Sequence, residues 1–511
     1  MRVIVIGGGV AGLVAARACA AGGAEVTVLE AGAEPGGSVA RSDVAGLSLD
    51  AAAESFATRG GAVQRLLAEL GLTERIEWPN PAGAWLHLPD RTVPMPRGGL
   101  LGIPIDPLAD DVVAAIGPDA ARRAQRDLDE PAAGDAQAPA VEGAVSLGAL
   151  VRDRMGDAVL DRLVSPVVTG VYSAAPDDLD VDVIAPGLRA AFARTGSLAR
   201  AVQELREAVA WQADAHRDVA APSAHGGPMK HRGPAKPGGA VGGLRGGMWT
   251  LVDALVADLD SRGVRVETNA SVTALTRSAD GSWRVTVAAT PARRADAVVV
   301  ATDGPTAIRL LSTAGAPSES APERPDVAGA AASVAGLGGI DWPAPTRVEL
   351  VTLVLDAPEL DAAPRGTGLL VAGDAHADVT AKALTHSTDK WPWLAAQTTP
   401  GRHVVRLSYG SPGIPNPVAV LDDAAVHDLA LRDASRLLGV TLTPTQVAGF
   451  ARRTWMYPRS HATAGQAARV RAVRAAVGGV HGLEIAGAWV AGTGLASVIP
   501  DAMDAAARAL A

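Results

Sequence analysis

Residues 3–6, VIVI, form an unbroken apolar run of strand length. A run without alternating polar positions suits a strand buried on both faces of a parallel sheet. After three glycines the chain is apolar again as far as Arg17, which is a helical stretch, and AEVTVLE at 24–30 returns to strand character. The same rhythm recurs over 243–305. LRGGMWTLVDALVADL reads as turn and helix, and a strand follows; TRSADGSWRVTVAA is a hairpin with Asp280 and Gly281 at its tip, and ADAVVVATD is a buried strand. It closes the chain in LEIAGAWVAGTGLASVIPDAMDAAARALA, a strand, a glycine-rich turn and a helix. Between these units, 85–205 is mixed, with helices such as one over 147–163, and 345–410 holds three strand-like runs, VELVTLVLD, GTGLLVAG and HVVRLSYG. Three stretches rich in Ala, Pro and Gly, at 128–144, 212–242 and 313–343, lack periodicity and read as surface insertions. The second carries Lys230, His231, Arg232 and Lys236, a basic loop read as solvated.

The first turn carries chemistry. Gly7, Gly9 and Gly12 give the G-x-G-x-x-G spacing between a strand and a helix. The first glycine makes the tight turn, the second lets backbone approach a pyrophosphate, and the third lets helix pack on strand. Gly8, Val10 and Ala11 complete a turn whose free N–H groups and helix dipole face the phosphates. Glu30, with Ala31 beyond it, ends the second strand, where an acid binds ribose hydroxyls and disfavours a 2′-phosphate. The unit predicts a dinucleotide site.

Composition narrows the class. With 511 residues, two domains are expected. A net charge of −9 argues against nucleic acid as a partner. The single cysteine, Cys19, excludes an internal disulfide or a Cys-x-x-Cys redox pair, and its apolar surroundings predict a buried thiol. No window reaches the ~18 apolar residues of a membrane span. The start of the chain is strand rather than signal peptide, so a cytoplasmic protein is expected, with peripheral membrane contact left open. No metal-spaced histidine set and no Ser-His-Asp set is visible. A second G-x-G-x-x-G unit is missing, which argues against an NAD(P)H site.

The segment after Glu30, with Gly36 and Gly37 in EAGAEPGGSVARS and then LSLDAAAESFATRGG, resembles the flavin amine oxidase and protoporphyrinogen oxidase superfamily. DAAAESFATRGGAVQRLLAELGL, TVPMPRGGLLGIP, LVSPVVTGVYSAAPDDLDVD, LRGGMWTLVDALVADL, THSTDKWPW and IPDAMDAA follow, in order, the pattern of bacterial protoporphyrinogen and coproporphyrinogen oxidases. The chain departs from that pattern at Ser38 and Val39, where the family carries a basic residue, and at WMYPRSHATAG, where it carries Leu-Pro-Gln.

The resemblance implies FAD as cofactor and an α/β fold. Its Rossmann-like FAD-binding domain would come from 1–80, 243–305 and 456–511, with a helical cap and substrate domain over 85–242 and a substrate-domain sheet over 306–455. It places Gly37, Ser38, Ala52, Ala53, Glu54, Ser55, Val272, Trp455, Gly487, Ser497, Val498 and Ile499 at the cofactor. It implies a porphyrinogen substrate, oxygen as acceptor and a six-electron oxidation in three rounds, each taking hydride from a bridge carbon and a proton from a pyrrole N–H. Coproporphyrinogen III is the expected substrate in haem biosynthesis, and hand-over of product to a ferrochelatase is left open. Four propionates need arginine or lysine, whose candidates are Arg59 first and then Lys390, with Tyr172 as a further contact. Protoporphyrinogen IX, an amine or a carotenoid as substrate, and a non-catalytic FAD-fold protein that binds a tetrapyrrole, remain alternatives.

Overall fold

The computed structural model describes residues 1–130, 145–172, 174–219, 241–278, 280–314, 337, 340, 342–375, 378–411, 415–457 and 462–511. Most of the three expected insertions, including the basic residues at 230–236, lies outside the described residues.

Five parallel strands form the nucleotide-fold sheet, in the order Arg265–Glu267, Glu25–Leu29, Arg2–Ile6, Ala297–Val300 and Leu483–Ile485. The first strand is central: Val3 pairs with Val26 on one side and Ala297 on the other. Its apolar run is explained by this position, because Val3 and Val5 face one core and Ile4 and Ile6 the other. Helices Val10–Ala21, Trp249–Ser261 and Leu495–Leu510 cover the first face. The first and last of these pack on each other, and Ala15, Ala16, Ala502, Ala505, Ala506 and Ala509 are all buried in that core. Small side chains there let the helix axes approach, so part of the alanine bias is structural. The hairpin at 272–287 turns at Asp280 and Gly281 as expected, and covers the second face with helices Gly304–Ala314 and Gln466–Gly478.

A seven-stranded sheet forms the second body. Its order is Val447–Tyr457, Thr346–Asp356, Arg402–Tyr409, Ala383–His386, Gly368–Val371, Trp85–His87 and Thr92–Pro94. All neighbours are antiparallel except Gly368–Val371 with Trp85–His87. Alternation gives it two faces. Val351, Leu353, Leu355, Val405 and Leu407 share a core with the helical region. Val348, Leu350, Val354 and Val404 pack instead with Leu49, Ala52, Trp391 and Trp455, towards the nucleotide fold.

Two features differ from the sequence pattern. The helix expected over 147–163 is broken at Gly156, whose φ of +91° ends Leu147–Met155, and Leu160–Val164 continues as a π-helical turn. Strand Val241–Leu244 pairs with Phe56–Ala57 and Ile76–Glu77, so the chain rejoins the nucleotide fold through a strand.

Candidate active site

The glycine turn has the geometry its spacing requires. Gly7 has φ +105°, and a Cβ there would lie 2.6 Å from the Ala301 carbonyl oxygen. A Cβ on Gly12 would collide with the Gly7 carbonyl oxygen and come within 3.3 Å of Val5, so only glycine lets helix and strand meet. At Gly9 an added Cβ would meet nothing within 4 Å. That open space fronts a twelve-residue helix with no side-chain cap and no acid in its first turn. Uncapped N–H groups facing bare backbone suit a pyrophosphate.

Glu30 is held by this turn. Its Oε2 accepts the Gly8 N–H at 2.6 Å and its Oε1 accepts the Gly32 N–H at 2.6 Å. The second glycine pair abuts the first: Gly36 N–H donates to Gly8 O, and a Cβ on Gly37 would lie 3.4 Å from Gly9 Cα. Ala270 N–H donates to Glu30 O and Asn269 N–H to Gly32 O, which brings the backbone preceding Val272 to the acid. The turn, Glu30, Gly37 and the approach to Val272 therefore form one cluster.

From Gly37 the chain runs through Ser38 to a second cluster. Ala53 N–H donates to Ser38 O at 3.2 Å and Ala51 N–H to Ala40 O at 2.8 Å. Trp455 donates its indole N–H to Ala51 O at 3.4 Å and packs with Ala52, so this residue from the seven-stranded sheet reaches the 51–55 run. Arg59, exposed, donates to Ser497 Oγ at 3.3 Å near the N-terminus of Leu495–Leu510. Gly487, with φ +122°, and Gly494 precede two helices whose first turns carry no acid. Val498 and Ile499 are buried in the core of the nucleotide fold.

Lys390 and Glu54, expected to meet substrate and cofactor, meet each other: Lys390 Nζ lies 2.5 Å from Glu54 Oε1. Arg406 Nη2 lies 2.9 Å from Glu54 Oε2, and its Nη1 donates to Asp50 O at 3.3 Å. Burial pushes the Glu54 carboxyl up, but the charges of Arg406 and Lys390 outweigh it and hold it below its usual range. For Asp50 burial wins and pushes it to about 7, against the Met248 and Trp249 backbone N–H groups and Arg406. A cavity of about 20 Å³ is lined by Asp50, Glu54, Thr352, Ser387, Trp391 and Arg406, among others. Sequence reasoning missed Arg406 and Asp50. A charge at 406, where HVVRLSYG places it on the same face as Val404, was the available signal for the first. The side chain of Tyr172 lies outside the described residues.

Other titratable groups stand apart. His386 Nε2 and His403 Nδ1 are 3.1 Å apart, and His403 Nε2 lies 3.0 Å from Asp361. Burial and His403 push His386 down to about 4, so it is neutral at pH 7. A larger open groove, about 670 Å³, is lined by residues 428–444 and contains no candidate residue. No cluster suited to a metal ion occurs among the described residues.

A model of the flavin containing amine oxidoreductase family matches residues 10–510. The chain belongs to this family. The family is flavin-containing, and the open, uncapped helix N-terminus at Gly9 with the carboxylate of Glu30 beside it fits FAD. Coproporphyrinogen III oxidase of Mycobacterium leprae is 30% identical over 515 residues, covering 99% of this chain and 96% of its own. The enzyme of the same name from Mycobacterium tuberculosis is 29% identical with the same coverage. Among solved structures, a protein assigned as protoporphyrinogen oxidase from Exiguobacterium sp. 255-15 superposes with a TM-score of 0.75 at 23% identity, covering 99% of this chain and 98% of that one. Cyclohexylamine oxidase from Brevibacterium oxydans superposes at 0.60 with 15% identity, covering 100% and 98%. Both structural likenesses concern the fold. As a member of the flavin containing amine oxidoreductase family, the protein is an FAD-dependent oxidoreductase.

Proposed function

We propose that this protein oxidises coproporphyrinogen III to coproporphyrin III with oxygen as acceptor. The observation that carries the reading is the near-complete coverage, 99% of this chain, by relatives named coproporphyrinogen III oxidase. Three oxygen molecules take six electrons and six protons, yielding three of hydrogen peroxide. FAD, when bound, supplies the two-electron acceptor for each round.

The chain's own residues hold and orient. The N–H groups of Val10, Ala11 and Gly12 and the bare backbone of Gly9 receive the pyrophosphate, and Glu30 receives the ribose hydroxyls. The 51–55 run, Gly487 and the N-terminus of Leu495–Leu510 would hold the flavin end, and Trp455, which donates to Ala51 O, would close the side towards the seven-stranded sheet. Arg59 is an exposed guanidinium that, among the described residues, donates to the neutral Ser497 hydroxyl, so its charge is available to a propionate. Lys390, already paired with Glu54, contributes to substrate binding through the shape of the wall it stabilises. The reading puts the reaction in the cytoplasm, upstream of the metal chelation that consumes a porphyrin. Among the described residues no helix is long and apolar enough to cross a membrane.

The test is aerobic incubation of the holoenzyme with coproporphyrinogen III and, separately, with protoporphyrinogen IX, following porphyrin fluorescence and peroxide. Faster porphyrin formation from coproporphyrinogen, with peroxide in step, is expected, and Arg59→Ala should cut that rate more than the rate with protoporphyrinogen. Equal or greater preference for protoporphyrinogen overturns the substrate assignment. Turnover of an amine with neither porphyrinogen oxidised overturns the whole reading.

A further inference from the structure

We propose that Arg406 is a positioning residue, the latch that fixes the seven-stranded sheet to the nucleotide fold at the 50–54 run. Three observations carry this. First, the Arg406 fork takes two points of that run: Nη2 pairs with the Glu54 carboxylate and Nη1 donates to the Asp50 carbonyl. One rigid planar group thus spans the beginning and end of a five-residue stretch, which a point charge cannot do. Second, the contact is enclosed. The side chains of Arg406 and Glu54 are 12% and 11% exposed, and Lys390 closes the second Glu54 oxygen. An enclosed pair is screened little: without Glu54 the buried Arg406 loses its carboxylate, whereas Glu54 without Arg406 keeps Lys390 alone. Third, the run is tied backwards into the nucleotide turn. Ala51 and Ala53 donate to the carbonyls of Ala40 and Ser38, and Ser38 follows Gly37, which abuts Gly9.

Arg406 stands on a central strand of the sheet, with Thr352 and Thr385 as its register partners. A shift of the sheet relative to the nucleotide fold therefore has to break the Arg406 fork. The groups facing Glu54 are Arg406 from one strand, Lys390 from the short helix Ser387–Lys390, and Asp50 from its own segment. Two cations against one ionised carboxylate leave the joint attractive without help from Asp50. The latch predicts that what reacts at the sheet face is held in register with what is bound at the glycine turn. Its bearing on turnover rests on the porphyrinogen-oxidase reading, whereas the latch itself does not.

The experiment compares full-length wild type, Arg406→Gln, Glu54→Gln and the double variant. Amide hydrogen exchange reads Ala51 and Ala53, with residues 351–354 as the internal control. Loss of the latch should speed exchange at Ala51 and Ala53 roughly tenfold or more while 351–354 are unchanged. The double variant should fall short of the sum of the two singles, since both remove the Arg406–Glu54 contact. With FAD saturating, kcat with coproporphyrinogen should fall roughly tenfold or more, as misplacement of reacting groups does. Arg406→Lys keeps the charge and loses the fork, so it should fall between wild type and Arg406→Gln. If Arg406→Gln does not fold, Arg406→Lys and Glu54→Gln report on the same contact. Wild-type exchange at Ala51 and Ala53 in the variants overturns the latch, as does strict additivity in the double variant. A wild type that leaves coproporphyrinogen untouched overturns the substrate reading and leaves the exchange result to stand by itself.

Discussion

Glu30 grips Gly8: the Oε2 of the acid accepts the backbone N–H at 2.6 Å, while Oε1 takes Gly32 at the same distance. The carboxylate thus shapes the turn before any ribose arrives. Glu30→Gln supplies one acceptor oxygen and turns an NH₂ group against an N–H donor. A hydrogen bond to a charged group contributes about 1.5–3 kcal/mol. FAD dissociation should therefore rise roughly tenfold or more, measured by flavin fluorescence on titrating apo-protein. An unchanged dissociation constant would remove Glu30 from the site.

The glycines at 9 and 12 should separate folding from cofactor binding. At Gly9 an added methyl meets no protein atom within 4 Å, whereas at Gly12 it collides with the Gly7 carbonyl. Gly9→Ala should keep the apo-protein's melting temperature close to wild type and lose FAD affinity. Gly12→Ala should lower the melting temperature of the apo-protein itself. If the two variants behave alike, the open space at Gly9 is not where the pyrophosphate lies.

Asp50 should make stability fall as pH rises. Its folded-state pKa of about 7 lies above its ordinary 3.8, chiefly through burial. Between those values the native protein keeps a proton that the unfolded chain releases, so this contribution is full below pH ~4 and is lost as pH rises through 7. Asp50→Asn removes the titration and can still accept the Trp249 N–H that Asp50 Oδ1 receives at 3.2 Å. Urea midpoints at pH 5 and pH 8 decide this: the variant should gain on wild type at pH 8. The same difference at both pH values would show that Asp50 does not titrate in this range.

Cys19 should be inert in the native protein. It is fully buried on the helix Val10–Ala21, and burial pushes its thiol up to about 11. A thiol reagent at pH 8 should label it only after denaturant is added. Stoichiometric labelling of the native protein would mean that the helix opens readily.

Much of the nucleotide fold was legible because its signals are local. The run 3–6, the spaced glycines and Glu30 fall within thirty residues, and each constrains the next. The joint between the two bodies was not legible in this way. Glu54 and Lys390 are 336 positions apart, and each alone reads as a free charge with a ligand to find. Only the fold reveals that they neutralise each other. The 147–163 helix failed for another reason: its apolar spacing is sound, but Gly156 sits in a left-handed conformation that spacing does not encode.

The central strand of the parallel sheet has consequences for how the molecule is made. Arg2–Ile6 leaves the ribosome well before its partner Ala297–Val300, about three hundred residues downstream, and the edge strand Leu483–Ile485 and the covering helix Leu495–Leu510 come later still. At ~5–20 residues per second the first strand waits roughly 15–60 s for that partner. During this interval its apolar edge towards Ala297–Val300 is bare and prone to stray pairing. The nucleotide fold lacks one of its covering helices until Leu495–Leu510 has emerged.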